Sequence, residues 1–211
     1  QILFYVIFLI LPVKESEKKM KSVPFSKQDI INWEKQYPTP FYVYDEAGIR
    51  KCVTDLYKAF SWNKGFKEYF AVKATPNPAI IRVLKELGCG TDCASVPEII
   101  ISQKCGVDGH NIMFSSNETT VAEYKAALDA GAIINLDDIT HIEFLESIAY
   151  LPDTICCRYN PGQFNITNDI MGHLYDTKFG MTHEQILEAF KILKSKGVKH
   201  FGIHAMLASC S

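Results

Sequence analysis

From Lys67 onward the chain repeats. Strand-like runs begin near Lys67, Gly90, Ile112, Ile133 and Thr154, at intervals of 23, 22, 21 and 21 residues. Between them lie apolar patterns at helical spacing: Ala79–Leu87, Pro97–Cys105, Thr119–Ala130 and Thr140–Tyr150. Gly88, Gly106 and Gly131 sit just past three of these, where a helix end favours positive φ. Each interval holds one strand, one helix and two tight turns. Strands joined this way run parallel through right-handed crossovers. The even spacing predicts an α/β fold of the closed (β/α)8 TIM-barrel type rather than a doubly wound sheet, whose crossovers vary more.

The next unit breaks the period. Arg158-Tyr159-Asn160-Pro161-Gly162 ends the fifth strand, and a polar loop runs to Lys178-Phe179-Gly180. A helix is predicted over about His183–Lys196 and a sixth strand over His200–Met206, starting 46 residues after its predecessor. Barrels place binding groups on such expanded loops at strand carboxyl ends. The expectation is a barrel truncated after about six strands, over residues 67–211, belonging to a longer enzyme and inactive alone. Residues 20–66 are expected to supply a strand, Phe41–Asp45, and a helix capped by Asp45, with Ile49, Val53, Leu56 and Phe60 on one face.

Residues 1–19 read as an apolar leader outside the fold. The uncharged run Ile2–Val13 is shorter than the ~20 residues of a membrane helix. It lacks the basic start and small-residue cleavage site of a signal peptide, and Met20 offers a natural start. A membrane anchor cut at its N-terminus is the alternative. A net charge of −2 gives no electrostatic case for nucleic acid or an anionic membrane. Seven cysteines with no C-x-x-C pair, several in apolar runs, predict buried thiols in a reducing cytoplasm and no metal site.

Chemically capable residues gather at the predicted strand ends. The run Glu68–Lys73 reads as a buried strand whose last side chain is Lys73, before a turn punctuated by Pro76, Asn77 and Pro78. An amine stripped of water stays neutral and can attack a carbonyl carbon; the alternative is a lysine reaching into solvent. Asp92 with Ser95 and Glu98, then Asn117, Asp137, Arg158 with Asn160, and His204 with Ser209 follow at later strand ends. Asn117 and Asp137 read as caps of the helices after them, a role that suits Arg158 less. In a barrel these positions share one rim, and together they suit an anionic, carbonyl-bearing ligand.

The same residues carry a resemblance. Tyr69-Phe70-Ala71-Val72-Lys73-Ala74 with Asn77-Pro78, and Gly90-Thr91-Asp92-Cys93-Ala94-Ser95 with Glu98, resemble motifs of the fold-type III pyridoxal-phosphate-dependent decarboxylases of diaminopimelate, ornithine and arginine. Asn135-Leu136-Asp137, Arg158-Tyr159-Asn160-Pro161-Gly162 and Lys178-Phe179-Gly180 fit the same family, in order, over about residues 38–209. The Arg-x-Asn-Pro-Gly form is most similar to the bacterial diaminopimelate decarboxylases.

The resemblance implies that Lys73 carries pyridoxal 5'-phosphate as a Schiff base. It implies that Asp92, Glu98 and Arg158 line the cofactor pocket, and that Ser209 contacts the phosphate. It also implies an amino-acid substrate, a homodimeric parent enzyme, and a C-terminal β-domain and glycine-rich phosphate loop beyond this chain. One departure stands out. Where the family has His-x-Gly-Ser after the sixth strand, this chain has Met206-Leu207-Ala208-Ser209. Met206 and His204, two residues earlier on the same strand face, are both candidates for the cofactor ring. Three alternatives keep the fold: another decarboxylase or a racemase-type enzyme, a non-catalytic pyridoxal-phosphate carrier, or a binding-only partner of a full-length enzyme.

Overall fold

The computed structural model describes residues 23–162, 167–168, 172–173 and 179–206. The leader, Lys178 and Ser209 lie outside the described residues. In order, the elements are α1 (Lys27–Glu34), α2 (Glu46–Ala59), β1 (Tyr69–Ala71), α3 (Pro78–Glu86), β2 (Gly90–Cys93), α4 (Val96–Lys104), β3 (Ile112–Phe114), α5 (Val121–Asp129), β4 (Ile133–Leu136), α6 (Thr140–Ile148) and β5 (Thr154–Arg158). A two-residue hairpin, β6 (Thr167–Asn168) and β7 (Gly172–His173), then precedes α7 (His183–Ser195) and β8 (His200–His204).

The large sheet has six strands in the order β1-β2-β3-β4-β5-β8, and every pair is parallel. The order follows the chain and never reverses. A doubly wound sheet needs a reversal at its switch point, so the winding is that of a barrel. Gly88, Gly106 and Gly131 close α3, α4 and α5 with φ of 91°, 79° and 68°, as the sequence predicts.

Strand alternation sorts the side chains into two faces. Cys93, Ile112, Phe114, Ile134, Leu136, Ile155 and Cys157 point to the helices and join Tyr124, Leu145 and Leu193 in the main core. The other face carries a smaller apolar layer of Met113, Ile133 and Cys156 packed with Tyr69. Two residues further along their strands, that face turns polar: Asn135 on β4 and Arg158 on β5. The cysteines at 89, 93, 105, 156 and 157 are buried free thiols and Cys52 is exposed.

Four local expectations change. The strand before Lys73 ends at Ala71, because Val72–Ala74 winds into a 3-10 turn closed by the Thr75 N–H on the Val72 carbonyl at 3.1 Å. Residues Phe41–Asp45 form no strand; nothing among the described residues pairs with them, and Tyr42 is 90% exposed. Asp45 nonetheless caps α2, accepting the Gly48 N–H at 3.0 Å. The preceding helix α1 was not foreseen, although Ser26 and Asp29 make a capping box worth about 1 kcal/mol. The last strand stops at His204, short of Met206. Among the described residues no helix is long and apolar enough to cross a membrane.

Candidate active site

Arg158 organises the carboxyl ends of the strands. Its side chain is 6% exposed, as is that of Asp137. Nη1 lies 2.8 Å from Asp137 Oδ1, but off the line of a hydrogen bond, so that oxygen has no hydrogen-bond partner and the attraction is coulombic. Nη1 donates instead to Asn117 Oδ1. Nη2 donates to the Ser115 carbonyl at 3.2 Å, and Nε donates to His204 Nδ1 at 3.0 Å. A buried guanidinium costs several kcal/mol to desolvate unless paired and bonded. Here four residues on three strand ends supply that pairing.

Asn117 and Asp137 are therefore not helix caps. Thr120 caps α5 through a box with Glu123, and Asp138 accepts the Thr140 N–H at 2.9 Å at the start of α6. Their neighbours take the capping work and leave both side chains to Arg158. Asp137 also accepts the Gly180 backbone N–H, which ties the end of the expanded loop to the site. Gly180 has φ +87°, and a Cβ there would sit 3.1 Å from Arg158 Cγ. Met181 N–H donates to the Arg158 carbonyl at 2.8 Å, closing the loop at its base.

Asp92 projects from β2 toward the same rim. Ser115 hydrogen-bonds its carboxylate, yet Oδ1 is buried with no hydrogen-bond partner. Burial pushes Asp92 up to about 6, against the pull of Ser115 and of the Arg158 and Lys73 charges. Burial raises Asp137 too, with Arg158 opposing it. Burial and the Arg158 charge hold His204 down to about 4.

Lys73 stands exposed at this rim, on the edge strand's carboxyl side. The expectation of a desolvated lysine ending a core strand is not met: its ammonium faces water and the Asp92 charge. Glu98 serves its own helix, accepting the Ala94 N–H at 3.1 Å and the Ser95 hydroxyl at 2.9 Å. Met206 is half-buried beyond the end of β8.

The structure thus brings Arg158, His204, Asn117 and Asp137 into one network, sets Asp92 beside it through Ser115, and leaves Lys73 open at the edge. Ser115 and Asn135 were not singled out as site residues by the sequence. The polar run Ser115-Ser116-Asn117 directly after β3 was the available signal for the first.

The arrangement fits a carbonyl-bearing cofactor held at Lys73. An accessible amine, a buried acceptor without a donor at Asp92 Oδ1 and a fixed cation at Arg158 are its parts. Among the described residues no cluster of His, Cys, Asp and Glu is built to hold a metal ion.

Comparison with known proteins agrees with that chemistry. The family described as "Pyridoxal-dependent decarboxylase, pyridoxal binding domain" matches residues 47–211. The chain is 36% identical over 173 residues to protein TabA of Pseudomonas amygdali pv. tabaci, covering 82% of this chain and 40% of TabA. It is 34% identical over 184 residues to the diaminopimelate decarboxylase of Methanothermobacter thermautotrophicus, covering 86% and 43%. The structure superposes on Helicobacter pylori diaminopimelate decarboxylase complexed with L-lysine at a TM-score of 0.73, with 27% identity, over 85% of this chain and 47% of that one. The chain spans less than half the length of each of these relatives.

Proposed function

The chain belongs to the pyridoxal-dependent decarboxylase family, through its pyridoxal-binding barrel domain, and from that premise we propose that the protein is a carboxy-lyase that converts meso-2,6-diaminopimelate to L-lysine. The observation that carries this reading is Lys73 at the open rim beside Asp92, whose buried Oδ1 has no partner. Pyridoxal phosphate, when bound, supplies the electron sink for the carbanion left by loss of carbon dioxide. Lys73 would be the attachment point, and Asp92 beside it would offer a buried acceptor and negative charge to the group held there. Arg158 supplies fixed positive charge toward the anionic ligand. Glu98 keeps the β2 turn in shape and adds negative charge near Asp92. Ser209 contacts the phosphate and Met206 packs near the ring, both on the strength of the resemblance. Diaminopimelate is favoured because the Methanothermobacter enzyme is so named and the Helicobacter one binds L-lysine.

The likeness to TabA, at 36%, is no weaker than that to the decarboxylase. A different amino-acid substrate is therefore the second reading, with ornithine and arginine as the first to try. The proposal includes a homodimer that works in lysine biosynthesis in the cytoplasm. The test is carbon dioxide release by the full-length protein with pyridoxal phosphate. Release from meso-diaminopimelate, exceeding that from L-ornithine or L-arginine, supports the reading. Release from another amino acid moves the substrate. Cofactor binding with no release from any of them leaves a carrier and overturns the activity.

A further inference from the structure

Arg158 is gripped on its Nη side by Asn117 Oδ1 and the Ser115 carbonyl, with Asp137 as counter-charge. That grip leaves Nε aimed across the β5–β8 pair, where Arg158 and His204 are register partners. Its bond to His204 Nδ1 has one reading. A guanidinium has no acceptor, so Nδ1 must accept. Asn135 Nδ2 reaches the same nitrogen at 3.3 Å. Turning its NH2 that way strands its own Oδ1, which is buried without a partner. The orphaned oxygen of Asn135 is thus a consequence of the Arg158 bond. With two donors on Nδ1, the ring proton sits on Nε2, and Nε2–H makes no hydrogen bond among the described residues.

We infer that His204 is a neutral imidazole locked in the Nε2–H tautomer, that its Nε2–H donates to an anionic oxygen of the bound ligand, and that Asn117 and Asp137 are positioning residues for it, acting through Arg158. The charged group that acts on the ring is Arg158 from β5; Asp137 from the end of β4 and Asp92 from β2 act on Arg158, and neither hydrogen-bonds the ring. The low value of His204, about 4, agrees with a ring that stays neutral at working pH. The tautomer follows from the geometry alone. The acceptor, a cofactor phosphate or phenolate or a substrate carboxylate, rests on the reading of this face as the pyridoxal phosphate site.

The test uses full-length protein with 15N-labelled histidine, and His204→Gln to assign the signal. The expected spectrum at neutral pH shows His204 with protonated Nε2 and bare Nδ1. Asp137→Ala, or the milder Asn117→Ala if the first fails to fold, is expected to bring His204 into averaging between tautomers. Pyridoxal phosphate alone, or only the later addition of meso-diaminopimelate, is expected to shift Nε2–H, and the arm that does so identifies the oxygen's owner. A protonated Nδ1, an imidazolium, or an Nε2–H indifferent to both ligands overturns the inference. A missing Lys73-dependent absorbance band on adding pyridoxal phosphate instead overturns the proposed function and leaves the tautomer standing. Cofactor affinity gives the second readout. His204→Gln keeps an acceptor for Arg158 and a donor for the ligand, so affinity is expected within about threefold; His204→Leu is expected to lose about tenfold or more. Equal losses in the two variants contradict the donor role.

Discussion

Arg158 and His204 face each other across β5 and β8, and the 3.0 Å bond between Nε and Nδ1 joins the strand before the expanded loop to the strand after it. The Tyr159 N–H reaches the His204 carbonyl at 2.7 Å on the same pair. The chain thus leaves β5 and returns on β8 at one base, held by bonds of both backbone and side chain.

Removing Asp137 leaves the Arg158 charge buried without its ion-pair partner. Asp137→Ala should cost about 3–5 kcal/mol in urea unfolding of the full-length apo protein. The double variant Asp137→Ala/Arg158→Met should recover a large part of that loss, since no charge is then buried. Strictly additive losses in the cycle would show that the pair is not coupled.

Two titrations at the site pull stability in opposite directions in mild acid. Asp92 sits at about 6, above its ordinary 3.8, so between those values the folded state holds the extra proton and stability falls as pH rises. His204 sits at about 4, below its ordinary 6.5, so the unfolded state holds the extra proton and stability rises with pH over that window. Each amounts to at most about 3 kcal/mol. Burial also pushes Glu68 up to about 7, a contribution common to all variants. Relative to the parent, Asp92→Asn should therefore tilt the slope upward between about pH 4 and 6, and His204→Gln should tilt it downward between about pH 4 and 6.5. Chemical unfolding of the apo protein against pH reads both; the same slope in both variants contradicts the assignment.

Gly90 makes room for the layer beneath the site. A Cβ there would come 2.4 Å from the Asn111 carbonyl oxygen and 2.7 Å from the Tyr69 ring. Gly90→Ala should destabilise by about 1–3 kcal/mol through forced shifts of backbone and ring. Gly65→Ala, whose Cβ meets nothing nearer than 3.5 Å, is the control and should stay within about 0.5 kcal/mol. Equal effects would mean the Tyr69 contact is not tight in solution.

The winding and the helices were legible because the repeat leaves room for nothing else, and the predicted helix ends fall within a few residues of those observed. The turn at Lys73 was not. Glu68–Lys73 keeps strand-forming chemistry to its end, and only the 3-10 turn at Val72 shows that the chain bends before the lysine. Asn117 and Asp137 were misread for a different reason: a polar side chain at a strand end can cap the next helix or face inward. The Thr120-x-x-Glu123 box was visible in the sequence and already freed Asn117 from capping. Asn135 sat in a motif of the family, but nothing local showed its contact with His204 on β8, 69 residues away. Ser209 lies outside the described residues, and its contact with the phosphate is a proposal drawn from the resemblance.

The central claim is that Lys73 is where the cofactor is held. Full-length protein loaded with pyridoxal phosphate, reduced with borohydride and digested, tests it directly by mass spectrometry. Reduction makes the lysine–cofactor bond permanent, so the account predicts the cofactor's mass on the peptide that contains Lys73. A label found only on another lysine, or none at all, would contradict it.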